Sequence, residues 1–462
     1  MTFTTPEMQA PHPVPAAGPL RVCEANPRYF AGPDGRPIYL TGSHTWCNFK
    51  DMGESDPPAP FGFPAYLDFL TRRHHNFFRF WAWEQTQFQE REGDLLYVSP
   101  FPWPRTGPGK ARDGKPKFDL SRFDQSYFDR MLQRVRAAGA RGIYASIMLF
   151  EGWELQFVLA PWTVDAHPFH RDNNINGIDG DPENTGKGKA INTLAIPAIT
   201  RVQEAYVRKV VDTVNDLDNV FYEISNEAGP YSTEWQYHMI RFVKSYQSGK
   251  AKQHPVGMTF QYEGGSNQTL FDSPADWISP NPEAGEFSYT DNPPPADGRK
   301  VVLSDTDHLW GIGGNQSWVW KSFCRGHNPL FMDPYLRGDF FREHLSEPGP
   351  KWEPIRRSLG YTRRFAQRMD LAHCLPSLDL ASTGYCLANP GQEFQEYLEY
   401  LAYLPDGGEV TLDLSAASGQ CSVEWFEPST GRITHAPSVS GGEKRELASP
   451  FEGEAVVCVR RE

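Results

Sequence analysis

Two short runs place acidic side chains where they could do chemistry together. In residues 219–229 (NVFYEISNEAG) an apolar run ends in Asn226-Glu227 and stops at Gly229-Pro230. In residues 300–311 (KVVLSDTDHLWG) three apolar residues lead to Asp305, with Asp307 two positions on. A glutamic acid at a strand end can protonate a departing glycosidic oxygen, and the asparagine before it can hydrogen-bond a sugar hydroxyl. A second carboxylate must then face the acid across the scissile bond, as nucleophile or as base. Asp305 stands where its strand should end and is the first choice for that partner. Asp307 is the alternative.

Other side chains fall into place around this pair. Arg79 lies mid-run in NFFRFWAW (residues 76–83), where a buried arginine needs a carboxylate; Asp305 or Glu223 would serve. Side chains alternate along a strand, so Glu223 shares the face of Glu227 and points inward. His44 and Trp46 end the first run, YLTGSHTW, and Trp83 ends the second. His308, Trp310 and Trp153 lie near strand ends, and Glu84 and Glu151 follow strands. Each is a candidate sugar contact, against packing or a solvated loop charge as the plain alternative.

Two metal readings compete with carboxylate chemistry, which needs no cofactor. Residues 172–183 (DNNINGIDGDPE) fit the calcium-loop pattern, with Asp172, Asn174, Asn176 and Glu183 as ligands. No flanking helix pair accompanies them, and an Asn/Asp/Gly-rich loop shaping a pocket explains the same residues. His44, Asp305, Asp307 and His308 could serve a metal-dependent hydrolase, but the paired His-x-His usual on strand one of such enzymes is missing.

The elements that must position these groups alternate. Strand candidates cover 38–46, 76–83, 142–150, 220–226, 256–262, 276–279, 300–305 and 329–333; helical patterns cover 63–73, 123–138, 199–217, 234–248, 317–325 and 354–369. Val202, Tyr206, Val210 and Val214 form one helical stripe. Alternation of this kind predicts a parallel sheet flanked by helices, and eight strands is the number of a (β/α)8 TIM barrel, whose strand C-termini carry the chemistry. From about residue 376 short strands separated by DGG, STGR and SGGE predict a small C-terminal antiparallel β-sandwich. The expected division is therefore a loose, Pro/Ala-rich arm over 1–20, a catalytic barrel over 21–375 and the sandwich over 376–462.

The 462 residues carry a formal net charge of −13 with no basic cluster, which disfavours nucleic acid and anionic membrane as partners and suits a neutral carbohydrate. No apolar run is long enough to span a membrane. The 7 cysteines show no metal or disulfide spacing, and the first residues are not a signal peptide. A soluble, cytoplasmic protein is expected, or a secreted or periplasmic one if a leader has been removed. Oligomeric state is not legible.

Taken together, Asn226-Glu227 on strand four, a carboxylate on strand seven and Arg79 on strand two resemble the clan A glycoside hydrolases, the cellulase-like superfamily. NPRYFAGPDGRPIYLTGSHTW and SDTDHLWG look like its apiosidase-like branch, and LPDGGEVTLDLS and VEWFEPSTG are similar to the C-terminal module of that branch, named for collagen binding. The resemblance implies Glu227 as acid/base, Asp305 as nucleophile, and Arg79 orienting the nucleophile. Clan A enzymes usually carry Glu on strand seven. An Asp there withdraws its carboxylate by about 1.5 Å, one C–C bond, which pushes the pair toward the wider spacing of inverting enzymes. Retention is favoured nonetheless; an inverting enzyme with Asp305 or Asp307 as base, and a non-catalytic sugar-binding protein, are the alternatives.

Overall fold

The computed structural model describes residues 14–89, 95–157, 163–335, 349–391 and 398–461. Eight short parallel strands organise the larger part: β1 (Gly42–His44), β2 (Phe77–Phe80), β3 (Tyr144–Glu151), β4 (Val220–Asn226), β5 (Val256–Thr259), β6 (Trp277–Ser279), β7 (Val301–Val302) and β8 (Leu330–Met332). β2 to β7 form one six-stranded sheet in sequence order, and β8 pairs with β1. Backbone hydrogen bonds continue past the sheet edges: Leu330 N donates to Ser304 O at 2.7 Å and Asn76 N to Thr41 O at 2.9 Å.

The strands are apolar on both faces because both are covered. All eight residues of β3 are buried. On the inner face Phe77, Tyr144, Phe221, Trp277, Val301 and Leu330 form a core layer at the N-terminal end of the strands. Gly257 is required in β5, since a Cβ there would lie 1.9 Å from the Trp277 ring. Polar inner-face residues, Arg79, Glu223 and Asp305, come one step further along their strands. The apolar layer thus forms the floor on which the charged layer rests.

Helices α1 (Phe63–Arg72), α2 (Gln125–Gly139), α3 (Pro197–Val214), α4 (Thr233–Gln247), α5 (Asn267–Asp272), α6 (Thr306–Trp310), α7 (Gln316–Cys324) and α8 (Glu353–Arg368) follow the strands. Helix α3 starts earlier than its stripe suggests, with proline in its first turn, where no N–H is needed. Its buried face is also wider, running through Gln203, Val207 and Val211 as well as Tyr206, Val210 and Val214. The two five- and six-residue helices α6 and α5 escape periodicity because they are too short to show one.

Residues 14–20 are not a loose arm. Ala16 N donates to Gly139 O at 2.8 Å, the Tyr144 hydroxyl donates to Ala17 O at 2.7 Å, and Leu20 is buried. The rest of the expected arm, 1–13, lies outside the described residues.

Beyond α8 the strands are antiparallel: β9 (Leu375–Pro376), β10 (Cys386–Asn389), β11 (Glu399–Leu404), β12 (Glu409–Asp413), β13 (Gln420–Glu427), β14 (Arg432–Ser440), β15 (Lys444–Ala448) and β16 (Ala455–Arg461). Six form a sheet in the order β9-β10-β11-β16-β13-β14, and β12 pairs with β15. One face of the larger sheet packs on the smaller through Leu404, Val410, Leu412, Trp425 and Leu447. The other face packs on α7 and α8, with Leu401, Tyr403 and Phe426 against Trp320, Phe323 and Phe365.

Candidate active site

At the C-terminal end of the parallel strands lies a cavity of about 550 Å³, walled by Trp46, Trp81, Trp83, Trp153, Phe260, Tyr262 and Trp310. Its polar lining is Glu151, Asn226, Glu227, Asp307 and His308. Of the residues expected from sequence, Trp46, Trp83, Glu151, Asn226, Glu227, Asp307, His308 and Trp310 line it. Arg79, His44 and Asp305 do not; all three are fully buried behind its floor.

Arg79 is the hub of that floor. Its Nε and Nη2 donate to Glu223 at 2.9 and 2.6 Å, Nη1 to Asp305 at 3.1 Å and Asp307 at 2.9 Å, and Nη2 also to Asn226 Oδ1 at 2.5 Å. The arginine therefore answers to Glu223, Asp305 and Asp307 at once. Because a guanidinium only donates, its bond fixes the Asn226 amide with Oδ1 toward Arg79 and Nδ2 toward Glu151 Oε1, 3.5 Å away. His308 Nε2, 3.2 Å from the same Oδ1, must then carry a proton, so that Nδ1 accepts from the Ser279 hydroxyl at 2.6 Å.

Asp305, the first choice for the second carboxylate, is buried and does not line the cavity. The strand ends sooner than supposed, at Val302, and Asp305 becomes the N-cap of α6. Its Oδ1 accepts from Asp307 N at 3.0 Å. His44 Nε2 lies 2.9 Å from Oδ1 and 2.8 Å from Oδ2. The Trp81 indole donates to His44 Nδ1 at 2.9 Å, which leaves the imidazole proton on Nε2, aimed at Asp305. Burial alone would raise the Asp305 pKa, but His44 and Arg79 outweigh it and hold the carboxyl well below its ordinary range.

Asp307, carried into the cavity by the first turn of α6, joins Glu151 and Glu227 as the third carboxylate of the lining. Burial and the neighbouring Asp305 push its pKa up to about 6 against the pull of Arg79. Glu227 sits just past β4 in the left-handed backbone region, at φ 47°, a conformation costly for a side-chain-bearing residue and frequent at functional sites. Gln156 Nε2 clamps its carbonyl at 2.8 Å. Burial, then Asp307 and Glu151, raise the Glu227 pKa well above the usual carboxylate value. One ligand-capable atom from each of Glu227, Asp307 and His308 lies within 4.8 Å of the other two. A cation there would compete with the proton that His308 Nε2 presents to Asn226.

Three of the four candidate calcium ligands are engaged by the chain itself. Asn174 Oδ1 accepts from the backbone N–H of Asn176 at 3.1 Å and of Ile178 at 3.0 Å, and Asn176 Oδ1 from Leu120 N at 2.7 Å. Asp172 turns toward Arg112 at 3.7 Å, and Glu183 is exposed. These bonds shape the loop after β3.

Trp81, Phe260 and Tyr262 are lining residues that sequence reading missed. Trp81 shares strand parity with Arg79 and Trp83, a signal that was present. Phe88 arrives from an antiparallel excursion, Gln87–Gln89 against Leu95–Ser99, that no barrel pattern announces.

No family model matches the chain, and no curated protein does. Solved structures do. A protein described as a glycoside hydrolase aligns at TM-score 0.59 over 96% of this chain and 96% of its own, with 14% identity. A family 5 glycoside hydrolase from Bacteroides vulgatus ATCC 8482 aligns at TM-score 0.61 over 96% of this chain and 92% of its own, with 13% identity. The chain shares their fold.

Proposed function

We propose that the chain is a glycoside hydrolase of clan A type, with Glu227 as acid/base and Asp307, rather than Asp305, as nucleophile, on a sheet that closes as a (β/α)8 barrel over residues 21–375. The observation that carries this reading is the approach of the Glu227 and Asp307 carboxylates, within 4.8 Å, inside an aromatic-walled cavity. Retaining enzymes hold their carboxyl groups about 5–5.5 Å apart and inverting ones about 6.5–9.5 Å. The spacing therefore favours retention.

Burial raises both acids, and the reading gives the ionised role to Asp307 and the protonated role to Glu227. Asp307, raised to about 6, serves as the carboxylate, and Glu227, raised well above its ordinary value by burial and by Asp307, serves as the acid. Glu227 protonates the leaving oxygen while Asp307 attacks the anomeric carbon, giving a glycosyl ester. Glu227 then takes a proton from water, which displaces Asp307 and releases the sugar. Arg79 positions Asp307, Asp305 and His44 position Arg79, and the Asn226 amide offers an N–H to a sugar hydroxyl.

The substrate is an uncharged sugar. No lysine or arginine lines the cavity among the described residues, so an acidic sugar would find no cation of its own there. The names of the structural neighbours, both glycoside hydrolases, support a glycoside as substrate. Trp425 and Phe426, the aromatics that could have made a sugar platform in the C-terminal module, are buried, and we read residues 376–462 as bracing α7 and α8. No helix among the described residues is long and apolar enough to cross a membrane. The mechanism uses no metal, and a chelator should leave it intact.

A panel of neutral aryl glycosides and plant polysaccharides tests this, with wild type beside Glu227→Gln and Asp307→Asn. The expected result is release of one sugar, lost in both variants. Undiminished activity in both would overturn the site, and silence of the wild type across the panel would favour a binding protein.

A further inference from the structure

Behind the Glu227 side of the cavity stands a group of carboxyls that the two-carboxylate mechanism does not use. Glu151 ends β3 and pairs in register with Asn226, one residue before Glu227. It is 1% exposed, yet it is part of the cavity lining. Its two oxygens differ. Oε1 accepts from Trp153 N at 2.8 Å and lies 3.5 Å from Asn226 Nδ2, whereas Oε2 is buried with no hydrogen-bond partner. Glu154, on the single turn that follows, is wholly buried with neither oxygen partnered. Glu84 closes the group, its Oε2 accepting from Glu151 N at 2.8 Å.

An ionised carboxylate demands donors on both oxygens, and an unpaired buried charge is among the costliest features a fold can carry. His167 Nε2 stands 3.4 Å from Glu84 Oε1, and the other cations near these acids are weakened or committed. Lys50, which acts on Glu84 and Glu154, is itself buried, donates to Trp83 O, and is pushed down to about 7 by that burial. Arg79, the cation acting on Glu151, is committed to Glu223, Asp305 and Asp307. Burial and Asp307 raise the Glu151 pKa well above its ordinary value; burial, Glu151 and Glu84 do the same for Glu154.

We propose that Glu151 is a neutral carboxylic acid in the working enzyme, and that its Oε2–H donates to an oxygen of the bound sugar beside the bond that Glu227 cleaves. The arrangement has a donor side and an acceptor side: the backbone N–H of Trp153 holds Oε1, so the proton resides on Oε2. Burial and the Asp307 carboxylate keep it there. The consequence is selectivity by hydrogen bonding. Glu151 recognises a sugar oxygen that can accept, such as a hydroxyl or ring oxygen, and gives no attraction to an ammonium group. A deoxy sugar lacking that oxygen would be a poorer substrate.

The inference rests on the glycosidase reading, and two measurements separate their fates. Glutamine is the isostere of a protonated glutamic acid, with its oxygen placed for the Trp153 N–H and its NH₂ placed for the sugar. Glu151→Gln should therefore lower kcat/KM only about two- to fivefold, and Glu151→Ala about 10- to 100-fold. Equal loss in both variants would mean that Glu151 works as an ionised acceptor, and would overturn the proposal while leaving the glycosidase reading in place. The second measurement needs no substrate. The infrared difference spectrum of wild type against Glu151→Gln at pH 7 should contain the C=O band of a protonated carboxylic acid. A carboxylate band in its place would overturn the proposal even if no hydrolysable glycoside were found.

Discussion

Arg79 Nη1 lies 3.1 Å from Asp305 and 2.9 Å from Asp307, so one nitrogen ties together an aspartate sealed in the floor and an aspartate open to the cavity. The two acids, two positions apart, divide a role that sequence assigned to one. Asp305 has both oxygens occupied and stays ionised, while Asp307 has a raised pKa and a path to substrate.

The pH dependence follows from that division. Protonated Asp307 cannot attack, so kcat/KM should rise with pH through about 6, where this carboxyl ionises. It should fall again at higher pH as Glu227 loses its proton, its own pKa being well above the usual carboxylate value. A pH–rate profile checks both limbs. An acid limb near pH 4, the value of an ordinary carboxylate, would argue against Asp307.

Replacing Arg79 by Met should be destructive to the fold as well as to catalysis. It strands Glu223 and Asp305, both without solvent exposure, together with Asp307. Removing one partner of a buried ion pair costs about 3–5 kcal/mol. Denaturant unfolding should show a loss of that size, and a change under about 1 kcal/mol would mean that the network is not ionised as described.

Glu154 gives a stability signature of opposite character. Its folded pKa lies above the unfolded value, so the stability its neutral form contributes is complete at low pH and is lost as pH rises through the folded pKa. Glu154→Gln cannot ionise. Thermal and denaturant unfolding followed upward from pH 5 should therefore show it losing less stability than wild type. Parallel losses in the two proteins would contradict the buried, unpartnered carboxyl.

Trp310 is 40% exposed at the cavity wall, its ring edge-on to Trp318 at 5.6 Å. Such a ring suits the apolar face of a sugar. Trp310→Ala should raise KM about 2- to 10-fold, in line with the 0.5–1.5 kcal/mol of an aromatic contact, with kcat and unfolding temperature little moved. An unchanged KM would assign the ring to packing.

Much of this was legible in the chain because parallel strands buried on both faces read as plain apolar runs. Each of the eight strands falls within or against a run marked from sequence, and Glu227 sits at the end of the clearest one. The Arg79 partnership with Glu223 and Asp305 was legible too, since a charged residue among aromatics must be paired. The choice between Asp305 and Asp307 was not. It depends on β7 ending at Val302 and a five-residue helix beginning at Thr306, and a single helical turn leaves no periodic trace. Glu154 and Phe88 were hidden for a related reason: the first stands on a one-turn helix and the second on a three-residue antiparallel strand, both set by tertiary contacts.

The assignment of Asp307 as nucleophile is best tested by covalent trapping. A panel of activated 2-deoxy-2-fluoro glycosides forms the glycosyl ester and slows its hydrolysis, and peptide mass spectrometry then locates the label. The account predicts one sugar attached to Asp307, with none on Asp305. A label on Asp305, or an inverted product released with no labelled enzyme, would contradict it.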